Sequence, residues 1–229
     1  MWRKLPEGAR EQLESAQPPT DLRSLLMDLA ARRAARVAPA DLLSSWRRDR
    51  FVRPSASDPR RVSSLEAQLW KLLPDEFAGV ELSPVAPLGS CSALGPVSQN
   101  RVVATARLSE VVSDAANSLA IEAAVRRVAQ APDGQVHLAA AHRLLRAQVF
   151  TQGAAHFRLF TLVSSARDTG SARTEAKMLN RYLAYWVRAL ETLAAARKPQ
   201  IEMTVFDQPV LAARLADTCC RGVAAMRCA

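Results

Sequence analysis

The chain has 229 residues, 49% of them hydrophobic and 23% charged, with 31 Lys and Arg against 22 Asp and Glu for a formal charge of +9. That length suits one domain with an appended segment, and no apolar run approaches the roughly 20 residues that a membrane-spanning helix needs. The start, MWRKLPEGAREQLESAQPPT, has no apolar h-region and does not read as a secretory signal, so no membrane partner and a cytoplasmic location are expected.

Residues 1–61 carry 13 basic and 8 acidic residues and read as a basic helical arm with its linker. TDLRSLLMDLAARRAARV places Leu22, Leu25, Leu26 and Leu29 at helical spacing after a cap candidate at Thr20 or Asp21, and ends in Arg32, Arg33 and Arg36 where cations suit a helix C-terminus. A short helix through ADLLSSWRRDRF follows, and the Pro-, Ser- and Arg-rich RPSASDPRR is the expected linker. The main domain spans 62–229. Ser63 and Glu66 form a capping-box signature for a helix that stops at Pro74. FAGVELSPVAPLG reads as a strand interrupted by Pro84, a residue confined to strand edges or junctions. RVVATARL is the next expected strand, and NSLAIEAAVRRVAQ a helix. QVHLAAAHRLLRAQ and AHFRLFTLVSSA pair as a hairpin. A long helix, TEAKMLNRYLAYWVRALETLAAAR, carries Met178, Tyr182, Tyr185, Trp186 and Leu193 on its apolar stripe; IEMTVFD is a last strand and PVLAARLADTCCRGVAAM a last helix. The sum is an α+β domain with a mixed, mainly antiparallel sheet flanked by helices, preceded by the helical arm.

Cys91, Cys219, Cys220 and Cys228 have neither the density nor the spacing of a disulfide framework or a zinc knuckle, so no metal site is expected. PLGSCSALGPVSQN reads as a turn-rich loop; Cys91 as a nucleophile is the alternative, and it lacks a recognisable base. No G-x-S-x-G elbow, Walker loop, dinucleotide fingerprint or H-E-x-x-H string occurs. The arginine excess favours phosphate-bearing partners, RNA among them. An Arg- and Ala-rich composition also follows from a GC-rich genome, and both explanations stay open.

Three fragments in order carry a resemblance. GVELSPV places Glu81 before Ser83 and Pro84; ATARLSEVV places Arg107 three residues before Glu110 ahead of a helix; LLRAQ and AHFRLF place Arg146 and Gln148 on one arm of a hairpin and His156, Phe157 and Arg158 on the other. In this the chain resembles the catalytic core of class II aminoacyl-tRNA synthetases of the histidyl and prolyl type, over roughly Leu65 to Asp207. The resemblance implies a nucleotide site: Arg146 on the α-phosphate of ATP with its Mg, His156 or Arg158 on the outer phosphates, Phe157 under adenine and Gln148 where the family has glutamate. It also implies an amino-acid or similar small-molecule pocket beside Arg107 and Glu110, and a homodimer through Leu65 to Pro84. The family's third motif, a glycine-rich joint ending in G-x-G-x-x-R, is missing from IEMTVFDQPVLAARLADTCCRGVAAMRCA, and no anticodon-binding domain is recognisable. The expectation is therefore a paralogue that binds a nucleotide or an amino-acid-like ligand without complete tRNA charging, possible roles being regulatory. The alternatives are a basic nucleic-acid-binding protein and a partner-binding protein on a degenerate fold of this kind.

Overall fold

The structure is a computed structural model that describes residues 4–95, 97–131, 133–149, 154–194, 201–203, 209–210, 213 and 226–228. In chain order the elements are α1 (Ala9–Glu11, continued by a π-helical turn Gln12–Ala16), α2 (Pro19–Ala34), α3 (Pro39–Arg48), α4 (Pro59–Leu72), β1 (Ala78–Gly79), β2 (Val85–Pro87), α5 (Ser90–Leu94), β3 (Ser109–Val111), α6 (Ala115–Val128), β4 (Val136–Leu145), β5 (His156–Ser165), α7 (Arg173–Leu193), β6 (Ile201–Met203) and β7 (Met226–Cys228). The fold class is α+β. Its main sheet has the order β1-β4-β5, with β1 parallel to β4. A second sheet pairs β2 with β3 antiparallel, and β6 pairs with β7 in parallel. No helix among the described residues is long and apolar enough to cross a membrane.

The chain divides into two compact units that do not follow chain order. The first comprises Met1–Ala56, Ser83–Asp114 and Arg143–Phe157, and the second Ser57–Leu82, Ala115–His142 and Arg158–Ala229.

Within the second unit, strand alternation sorts the sheet's side chains into two apolar layers. Val136, Leu138 and Ala140 pack with Leu119 and Ala123 of α6, joined by Val80, Leu82 and Val163. Phe160 and Leu162 face the other way, onto Leu69 of α4 and Tyr185, Trp186 and Ala189 of α7. Tyr185 is 1% exposed, lies 5.9 Å from the Phe160 ring and 5.0 Å from Trp186, and donates its hydroxyl to Leu69 O at 3.0 Å. Burying each such side chain contributes on the order of 2 kcal/mol. On the same layer His137 holds a polar network: its Nδ1 meets Ser164 Oγ at 2.7 Å and its Nε2 meets Arg181 Nη1 at 3.2 Å, while Arg181 Nε pairs with Glu76 at 2.9 Å. A guanidinium can only donate, so Nε2 accepts and Nδ1–H donates to Ser164.

That tautomer is a neutral imidazole, and burial, followed by the Arg181 charge, lowers the His137 pKa from its ordinary 6.5. His142 is lowered too, chiefly by burial, with Glu81 opposing and Arg158 reinforcing. Its Nε2 is buried and has no hydrogen-bond partner among the described residues. Both groups thus bind a proton more readily unfolded than folded. Their contribution to stability is present above pH 6.5 and is lost as pH falls below it. The urea midpoint is expected to drop between pH 7.5 and pH 5.5, and a midpoint that stays flat or rises across that interval contradicts the assignment.

Four expectations need correction. The helix expected to open at a Ser63–Glu66 box is α4, which starts at Pro59 with Asp58 as N-cap, its side chain accepting from Arg60 N; proline at the first helical position costs no hydrogen bond, so the helix extends into the expected linker. RVVATARL is not a strand. Gln99–Arg101 forms a 3-10 turn, Ala104 makes an isolated antiparallel bridge to Glu110, and Leu108 turns the chain with φ 57 into β3. The stretch after Gly89 is the short helix α5 and not only a turn-rich loop. Pro84 lies between β1 and β2, which belong to different sheets, and its carbonyl accepts from Val112 N. Met226 and Cys228, expected in or after a terminal helix, lie in β7; most of that expected helix, with Cys219 and Cys220, lies outside the described residues, as does 204–207 of the expected last strand.

Candidate functional site

Arg146 sits one residue beyond β4, where its backbone N–H bonds to Ala155 O at 2.9 Å. Its side chain stays within the first unit. Nε donates to Ser113 O at 3.0 Å, Nη2 reaches Asp114 Oδ2 at 3.5 Å, and the guanidinium carbon stands 5.3 Å from the centre of the Phe157 ring. Nη1 makes no hydrogen bond among the described residues, and the side chain is 31% exposed. One edge of the fork is therefore held, and the partly exposed guanidinium lies against an aromatic face that attracts cations.

The support beneath this arginine is built by Glu110. The carboxylate is 2% exposed, and its oxygens accept from Gly89 N at 2.8 Å, Cys91 N at 2.9 Å and Gln99 Nε2 at 2.9 Å. Gly89 stands at φ 90, a conformation that glycine adopts without a Cβ penalty, and this aims its N–H at the carboxylate. Glu110 thereby ties α5 and the turn at Gln99 to β3, three residues ahead of Ser113. Cys91 is buried, and its Sγ accepts from Ser113 Oγ at 3.2 Å, so a hydroxyl and not a base stands beside the thiol.

His156 is also held inside the first unit. Its Nε2 contacts Arg53 O at 2.8 Å and its Nδ1 contacts Arg143 Nη1 at 2.9 Å. A carbonyl accepts and a guanidinium donates, which sets Nε2–H and a bare Nδ1. Arg50 donates to Gln148 O at 2.8 Å and to Ala147 O, and stacks 4.3 Å from the Phe51 ring, so this part of the arm grips the outgoing end of β4 by its carbonyls.

The expected site residues thus fall into different settings. Arg146, Gln148, His156 and Phe157 belong to the first unit, and Arg146 and Phe157 are in contact. Arg158 belongs to the second unit, where Nε and Nη2 form a fork on Glu66, Nη2 at 3.0 Å. Arg107 is exposed, its backbone N–H bonded to Thr105 Oγ1, whereas Glu110 two residues into β3 is enclosed by its three donors. Sequence reading passed over Ser113 and Asp114, which hold Arg146; the pair Ser-Asp immediately before the α6 residues is an N-cap signature that marks the position though not the contact. It also passed over Arg50 and Arg53. Among the described residues no group of three or more His, Cys, Asp and Glu could hold a metal ion.

No family model matches the chain, and no curated protein matches it. Among solved structures, one that is similar over part of the chain is described as the crystal structure of an ATP phosphoribosyltransferase regulatory subunit/histidyl-tRNA synthetase from Bacillus halodurans C. The two share 14% identity with a TM-score of 0.45 over 61% of this chain and 38% of that one. The aligned part thus spans well under half of that protein's length.

Proposed function

We propose that the region around Arg146 binds the phosphate of an adenine nucleotide or of a similar adenylate-like ligand, in a synthetase-like paralogue that does not carry out complete tRNA aminoacylation and serves a regulatory role in the cytoplasm. The observation that carries this reading is the half-fixed fork of Arg146, with Ser113 O and Asp114 on one edge and Phe157 against its face. A guanidinium held on one side has already lost most of its rotamer freedom, so ordering it on a phosphate oxygen costs less than ordering a free arginine. Nη1, which makes no hydrogen bond among the described residues, is the group an incoming phosphate would meet. Magnesium would arrive with the nucleotide.

Activation chemistry is not part of the proposal. His156 spends both ring nitrogens on Arg53 O and Arg143, and Arg158 spends its fork on Glu66. With one arginine in place of a clamp, most of the electrostatic stabilisation of a phosphoryl transition state is lost. A homodimer through Leu65 to Pro84 belongs to the same proposal; a monomeric mass at micromolar concentration removes that part alone.

Calorimetric titration of the whole chain with Mg-ATP at moderate salt tests the reading. Binding is expected, and Arg146→Ala is expected to weaken it at least tenfold, about 1.4 kcal/mol. Absence of heat with the unmodified chain, or equal binding by the variant, refutes it.

A further inference from the structure

We propose that a cavity of about 380 Å³ in the second unit, at the connection from β5 to α7, is a binding site for a phosphorylated small molecule, with Lys177, Arg167 and Arg173 as its anion-binding groups. Its size is within the range of small-molecule sites and matches a sugar phosphate or a nucleoside monophosphate.

Three cations line this space against one acid, Asp133. Among the described residues Asp133 pairs with Arg167 alone, at 3.6 Å, and both side chains are mostly exposed, so the pair neutralises little. Lys177 has no ion pair and no hydrogen bond among the described residues. Like charges gathered around one concavity repel one another, and a multiply charged anion relieves that repulsion. Two guanidinium groups and an ammonium lining one space suit the several oxygens of a phosphate better than the two of a carboxylate.

The walls are already in place. Arg173 Nε and Nη2 donate to Gly170 O and Thr169 O, which holds its guanidinium at the rim. Thr174 Oγ1 accepts from Thr169 N at 3.0 Å and donates to Arg167 O at 3.1 Å, while Asp168 Oδ1 accepts from Gly170 N at 2.7 Å. These bonds close the loop without a ligand, so binding would cost little ordering. The first N–H of α7 adds nothing, because Arg173 N already bonds Gly170 O. Ala166 and the buried Met178 supply an apolar surface for the organic body of the ligand.

The test is titration of the whole chain with ribose 5-phosphate in low salt, followed by phosphorus NMR and calorimetry, with ribose as the uncharged control. Binding below about 1 mM is expected for the phosphate and none for ribose. Lys177→Gln and Arg167→Gln, both at exposed positions, are each expected to weaken it about fivefold or more, and Lys71→Gln is expected to leave it unchanged. No binding up to about 20 mM overturns the proposal. Equal loss in Lys71→Gln overturns it as well, since the attraction would then belong to the overall positive charge. Loss in Arg146→Ala alone moves the ligand to the first unit and also overturns it. Because ATP binding at Arg146 is measured separately, either site can fail without the other.

Discussion

Replacing Glu110 by alanine is expected to lower stability by about 3 to 5 kcal/mol, among the largest single-residue effects in the chain. The reason is what the substitution leaves behind. Gly89 N, Cys91 N and Gln99 Nε2 all point at this carboxylate in an interior where the residue is 2% exposed, and water has no ready access to replace it. Each unsatisfied buried donor costs about 1 to 3 kcal/mol, partly recovered where the neighbouring turn opens to solvent. Glu110→Gln keeps one accepting oxygen but sets an amide N–H against a donor, so its effect should be intermediate. For a chain of this length the alanine variant should melt about 10 °C lower. The loss should also reach Arg146, because Glu110 secures the strand leading to Ser113. If both variants unfold within a degree of the parent, Glu110 does not hold the first unit together, and the support proposed beneath Arg146 fails with it.

Tyr185→Ala should cost a similar amount, about 3 to 5 kcal/mol, for a different reason. Here the loss is of packing: a fully enclosed ring between Phe160 and Trp186, in the layer that joins α4 and α7 to the sheet. Tyr185→Phe separates the hydroxyl from the ring. It removes only the bond to Leu69 O and should cost about 1 kcal/mol. The same burial pushes the Tyr185 pKa up from 10.0 to about 12. Since the folded form resists ionisation, the stabilisation is complete below pH 10 and is lost as pH rises through about 12, so spectroscopic titration should show Tyr185 ionising late and together with unfolding, while Tyr182, also raised by burial, ionises above the ordinary 10. An alanine variant as stable as the phenylalanine one would show that the ring contributes little.

The two predictions bear on what the sequence makes legible. Tyr185 was readable, because helical spacing through Met178, Tyr182, Tyr185 and Trp186 marks one face of a helix whatever that face meets. The resemblance carried by its basic-x-x-acidic string implies a pocket role for Glu110, yet the structure encloses it with backbone donors that no side-chain motif records. RVVATARL looked like a strand because Val102, Val103 and Thr105 favour extended backbone. The turn through Leu108 overrides that preference: Thr105 Oγ1 meets Ser109 Oγ at 2.8 Å and accepts from Arg107 N, and these bonds hold a non-glycine residue at positive φ. Pro59 likewise lay in plain view, but a run of Pro, Ser and Arg reads as a linker until Asp58 is seen to cap it.

By itself the sequence determined the α+β class, the two long neighbouring strands, the α7 stripe and the break at Pro84, all of them consequences of local periodicity and of the missing proline N–H. Only the tertiary structure decided which partner each arginine takes. Arg146 meets Ser113 and Asp114, 33 and 32 residues before it, and Arg158 meets Glu66, 92 residues before it. A guanidinium on a long flexible stem pairs with whichever oxygen the packing of distant segments brings within reach, and residue spacing along the chain carries no record of that distance.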